Sequence, residues 1–194
     1  MSWELECKKI SEGIRLRVLE HTIKHGGYLS QACSSAEIFS ILYNKLMRLG
    51  PSVGKFIPDS FQGTPSKNNP SKHIGMLYNG AKNPNLDRFF LSPSHYALTL
   101  YATLIETKRL NEKSLNQFNI DGSVLEMIGS EHSPGHETNG GSFGQPFLRL
   151  LELLGQGGGK KKRDLYGYFY QMVNFKKDKL GKRLCLWHST RLVT

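Results

Sequence analysis

The sequence predicts an α/β domain over residues 1–146, and two observations point there. Apolar residues recur at helical spacing over 11–24, 34–47 and 97–108, and the run DRFFLS at 87–92 carries a short apolar strand signal at Arg88–Leu91. The chain has 194 residues, enough for one domain with a real core.

The first helix is expected from Ser11 to Lys24, with Ile14, Leu16, Val18, Leu19 and Ile23 as its apolar positions. His25-Gly26-Gly27 breaks the pattern. Ser34 followed by Glu37 has the spacing of a capping box, in which each side chain satisfies a free amide of the first turn. The helix that follows should bury Ile38, Ile41, Leu42 and Met47 before Gly50-Pro51 stops it. Residues 51–86 are rich in Pro, Ser, Asn, Lys and Gly and are expected to be mostly loop. A helix over 97–108 should turn Leu98, Leu100, Tyr101 and Leu104 inward, and Asn111 can cap a short helix from Glu112. GSEHSPGHETNGGSFGQP, residues 129–146, is a long polar loop dense in glycine, of a kind that tends to carry function.

Composition narrows the class. Hydrophobic content of 38% with 22% charged residues fits a globular chain. No run of 18 apolar residues is present, so no membrane partner is expected. The opening residues mix charge and apolar positions, unlike a secretory signal. The three cysteines, Cys7, Cys33 and Cys185, share no metal-ligand spacing, and a reduced, cytoplasmic setting is the simplest expectation. The net charge of +10 is uneven: residues 147–194 hold 11 Lys/Arg against 3 Asp/Glu, whereas residues 1–146 hold 15 against 13. The folded-looking part is therefore nearly neutral, which argues against nucleic acid as its partner.

Three blocks in order carry a family resemblance: GGYLSQACSSAEIFSILYNKLMRLG, then DRFFLSPSHYALTLYA, then SPGHETNGGSFGQP. Together they resemble the thiamine-diphosphate-binding, amino-terminal part of transketolases and span most of residues 10–146. The resemblance implies a partial thiamine-diphosphate-binding fold, a parallel sheet flanked by helices, with the cofactor at a homodimer interface. It implies transfer of a two-carbon ketol unit between sugar phosphates, a step of the pentose phosphate pathway in carbohydrate metabolism, with thiamine diphosphate (thiamine pyrophosphate) and Mg²⁺ as cofactors. His95 matches the family histidine that binds the cofactor diphosphate and substrate, and the resemblance makes it the candidate catalytic residue. Gly141, Ser142 and Phe143 would line the cofactor, where glycine lets backbone amides approach closely. Glu137 matches a family glutamate read as a structural or interface group.

The pattern also departs from the family. Tyr28 stands where a histidine is usual, and His25 reaches that place only across a gap. Tyrosine can donate a hydrogen bond but is no base near neutral pH. A Gly-His-Pro normally precedes the third block; here Gly129-Ser130-Glu131-His132 stands there, which makes His132 a candidate substrate ligand together with Tyr28 and His25.

Residues 147–194 do not continue the family pattern. They lack the Gly-Asp-Gly segment whose aspartate would bind Mg²⁺, so no metal ligand is assigned. Read one base out of frame, each true codon is the last base of one codon plus the first two of the next. Met172-Val173 then gives Gly whatever the wobble base, and Gln171-Met172 gives only Asp or Asn. Permitted options from Tyr170 to Arg183 spell SDGEFQEGQTWEA, which resembles the missing motif. The segment 147–194 is thus expected to be an out-of-frame, irregular and poorly ordered tail, and the chain a truncated transferase that is inactive alone. Two other readings stay open: a basic module that binds nucleic acid through the tail, and one subunit of a split transketolase. A deoxyxylulose-phosphate-synthase-like enzyme would share this architecture, but the DRFFLS and SSAEI blocks resemble transketolase more.

Overall fold

The structure is a computed structural model. It describes residues 2–63, 67, 74–83 and 85–139, and beyond them the strand backbones 165–168, 172–178, 181–188 and 191–193.

Helix α1 runs Trp3–His25, with Ser2 capping its start by accepting from the Leu5 N–H. Glu4 and Glu6 in the first turn and Lys24 and His25 in the last complement the helix dipole. Gly26, at φ +77°, ends it. Its buried seam is Cys7, Ser11, Ile14, Val18 and His21, spaced four, three, four and three. Ile14 and Val18 thus face the core as expected, but Leu16, Leu19 and Ile23 are exposed. The expected inward set drew from two faces of one helix.

Helix α2 runs Leu29–Ile41 and continues into a single wider turn, Leu42–Leu46. The capping-box expectation fails here. Ser34 lies inside the helix, where its hydroxyl donates to the Gln31 carbonyl, and Glu37 pairs with Arg15 of α1. Ala32, Ser35, Ala36, Phe39 and Ser40 form the buried face, while Ile38 and Ile41 are half-buried. Small side chains let the helices approach closely enough for the Ser40 hydroxyl to donate to the Cys7 carbonyl at 2.6 Å.

Strand β1, Arg88–Leu91, and helix α3, Ala97–Glu106, match the sequence reading. Residues Ala97–Ile105 of α3 are all buried. This helix is the centre of the core, and α1 and α2 pack on each other and on it. The described residues between 51 and 86 are mostly irregular, with a 3₁₀ turn at Gly75–Asn79, and Asn111 caps a short 3₁₀ helix, Glu112–Gln117. Charged clips tie these pieces down. The fully buried Asp87 accepts from the Arg48 amide at 2.6 Å and from its guanidinium at 2.9 Å. Arg109 donates to the carbonyls of Gly50 and Tyr78, both at 2.9 Å.

Strands β2 (Leu165–Tyr168), β3 (Met172–Asp178), β4 (Gly181–His188) and β5 (Arg191–Val193) complete a sheet in the order β1-β2-β3-β4-β5. Only β1 and β2 pair in parallel; the other three pairings are antiparallel. The sheet is mixed, with one parallel pairing, and four of its strands lie within 165–193. Tyr166, Tyr168, Phe175 and Trp187 are aromatic residues of the kind that favour strands. No helix among the described residues is long and apolar enough to cross a membrane.

Candidate functional site

Two turns bring the amino-terminal candidates together. Gly27, at φ +132°, joins α1 to α2, and a Cβ there would sit 3.0 Å from Leu98 of α3. The chain therefore crosses close over α3 and delivers Tyr28 to the start of α2. On the other side, Ser94–Tyr96 forms a 3₁₀ turn that runs directly into α3 and carries His95. The rings of Tyr28 and His95, 67 positions apart, meet edge to face with centroids 5.4 Å apart. Ser94, also buried, has a hydroxyl with no hydrogen-bond partner among the described residues.

His25 lies at the end of α1, its ring 4.9 Å from that of His21. His21 stands edge-on to Phe118 at 5.0 Å. Burial, then the neighbouring His25, pushes the His21 imidazole below its ordinary pKa. From Phe118 the row of rings continues to Tyr101 at 6.2 Å and on to His136 at 5.9 Å. One packed aromatic row thus links the α1 end to the loop 129–139.

His132 has a setting of its own. Its Nε2 lies 3.0 Å from Glu126 and 3.0 Å from the Ser130 hydroxyl, which itself donates to Glu126 at 2.8 Å. Phe61 stacks on the imidazole at 4.5 Å. The loop that carries His132 is pinned by Gly75, whose amide donates to the Glu131 carbonyl and whose carbonyl accepts from Gly135, both at 2.9 Å.

Two residues of this loop matter more than the sequence indicated. His136 is fully buried against Gly129, and burial holds its pKa down to about 4. Nothing in the run HSPGHE separates it from a surface histidine. Glu137 receives the Arg88 guanidinium at 2.6 Å, the Asn79 amide at 2.9 Å and the Phe89 backbone N–H at 3.0 Å. Burial pushes its carboxyl up, and Arg88 and the other donors oppose that. Its structural reading holds within this chain.

Gly141, Ser142 and Phe143 lie outside the described residues. Among the described residues no group of three or more His, Cys, Asp or Glu could hold a metal ion.

No protein-family model matches the chain. A protein of Sinorhizobium fredii (strain NBRC 101917 / NGR234), named as an uncharacterized transketolase family protein (y4mO), is 31% identical over 134 residues, which is 66% of this chain and 38% of that protein. The chain therefore spans well under half the length of this relative. The match supports, weakly, a transketolase relation at the family level and a transferase-like character, and nothing finer.

Proposed function

We propose that residues 1–146 are the amino-terminal part of a thiamine-diphosphate-binding domain of a transketolase-type transferase. The similarity at family level and the three ordered sequence blocks support this reading. The structural observation that carries it is the meeting of Tyr28 and His95 across two separate turns.

The residues present fit the diphosphate end of such a cofactor. His95 can donate to a phosphate or substrate oxygen at the entrance to α3. The buried Ser94 hydroxyl beside it is a further donor in need of an acceptor. Tyr28 braces the His95 ring and can donate through its phenol, but it takes no proton near neutral pH. His25 and His132, the latter oriented by Glu126 and Phe61, are the remaining candidates toward a sugar-phosphate substrate. Gly141, Ser142 and Phe143 would supply backbone contacts to the cofactor. Thiamine diphosphate, once bound, supplies a carbon nucleophile and an electron sink for two-carbon ketol transfer. Mg²⁺ would need an oxygen ligand such as a carboxylate, and the frame reading places that group in the lost Gly-Asp-Gly. A second copy or a separate partner subunit would complete the site, in a cytoplasmic, carbohydrate-metabolic setting.

On this reading residues 147–194 are out-of-frame and the 194-residue chain is inactive alone. The nucleotide sequence from codon 140 onward tests it. The shifted frame should stay open and encode Asp-Gly at the expected place. A shifted frame that closes within a few codons, or ketol transfer by the purified 194-residue chain, would overturn the truncation.

A further inference from the structure

A cleft of about 390 Å³ opens at the carboxy-terminal end of α3, lined by Ser52, Gly54, Phe56, Thr107, Lys108 and Arg109 among others. That volume suits a small ligand. The cleft uses none of His25, Tyr28, His95 or His132, and its chemistry is independent of the cofactor reading.

Its floor is built by how α3 ends. The Lys108 amide donates to the Ile105 carbonyl at 2.9 Å and the Arg109 amide to the Leu104 carbonyl at 2.6 Å, which satisfies the last carbonyls of the helix. Lys108 takes φ +58° to do so. This is the left-handed place where helices usually set glycine, because a Cβ is disfavoured there. Such strained positions cluster at sites that use the side chain. Arg109 is immobilised by its bonds to Gly50 and Tyr78. The facing loop is fixed too: the Asn111 amide donates to the Phe56 carbonyl at 2.8 Å, and the Tyr78 hydroxyl to the Lys55 carbonyl at 2.7 Å. The cleft thus sets two adjacent cations beside one half-exposed aromatic ring, while its Ser52 and Thr107 hydroxyls already donate to the carbonyls of Arg109 and Thr103. No Asp or Glu is among its lining residues.

We propose that this cleft binds a small phosphate monoester. Lys108 and Arg109 supply the charge for the phosphate, and Phe56 covers the organic body.

The test titrates the full 194-residue chain with phenyl phosphate, inorganic phosphate and sodium chloride at fixed ionic strength, followed by calorimetry and by the thermal midpoint. Phenyl phosphate should bind saturably and raise the midpoint, inorganic phosphate should bind more weakly, and chloride should do neither. Lys108→Gly should raise the midpoint without ligand yet weaken both phosphates by about tenfold, the loss of one charge-assisted contact. Lys108→Asn, which removes the charge but still tolerates the left-handed backbone, should weaken them equally. Phe56→Ala should weaken phenyl phosphate and spare inorganic phosphate. Equal affinity in the wild type and both Lys108 variants, an equal effect of chloride, or no measurable phosphate binding would each overturn the proposal.

Discussion

The Arg88 guanidinium and the Glu137 carboxylate meet 2.6 Å apart with only 10% and 5% of their side chains exposed. The pair joins the first residue of β1 to the loop 129–139, and the same carboxylate also holds the Phe89 amide and Asn79. Asn79 in turn accepts from the buried Tyr43 hydroxyl. Removing one partner of such a pair leaves the other charge buried without compensation. Glu137→Ala should therefore destabilise the fold by about 3–5 kcal/mol, measured by urea unfolding. A loss under about 1 kcal/mol, the range of a surface pair, would show the bond to be incidental.

His136 makes stability depend on pH. Its folded pKa is held at about 4 by burial, against an ordinary value of 6.5. The unfolded chain therefore binds more protons than the folded one between those values, and stability rises with pH across that window. The contribution is complete above pH 6.5 and is lost as pH falls toward 4. Over the step from pH 6.5 to 5 it amounts to about 2 kcal/mol. His136→Leu should flatten that slope in unfolding curves taken at both pH values. An unchanged slope would assign the acid sensitivity to other groups.

Sequence reading succeeded where one local signal decided the outcome. Arg88–Leu91 is a short, largely apolar run, and the helix from Ala97 carries Leu98, Leu100, Tyr101 and Leu104 at positions that do turn inward, although Thr99 and Thr103 are buried as well. It failed where tertiary contact decided. Ser34 and Glu37 have the spacing of a cap, but α2 begins at Leu29, because Gly26 and Gly27 complete the turn earlier. The near approach of Tyr28 to His95 follows from Gly27 crossing α3, which no spacing along the chain reveals. Glu137 and His136 differ from surface residues only in what covers them, and that depends on parts of the fold remote in sequence.

Gly75 shows how tightly the loop 129–139 is seated. A Cβ at this position would lie 2.2 Å from the Ser133 carbonyl oxygen, 2.5 Å from that of His136 and 2.7 Å from that of Glu131. All three are backbone atoms, which cannot rotate away as a side chain would. Gly75→Ala should cost more than about 3 kcal/mol and should raise amide exchange through residues 130–137, since relief means lifting the loop. Near-wild-type stability with unchanged exchange would contradict this packing.

Val18 and Leu19 are neighbours in sequence with opposite fates. Val18 is fully buried in the seam between α1 and the other helices, whereas Leu19 is 41% exposed. Helical rotation of about 100° per residue separates them, so substitution reads the orientation of α1 directly. Val18→Ala removes two methyl groups from a packed core, and a loss of about 1–3 kcal/mol is expected. Leu19→Ala removes more carbon but from a half-exposed site, and alanine is the better helix former, so the change should be smaller, under about 1 kcal/mol. Denaturant midpoints of the two variants decide the matter. The reverse order would mean that α1 turns Leu19 rather than Val18 toward the core.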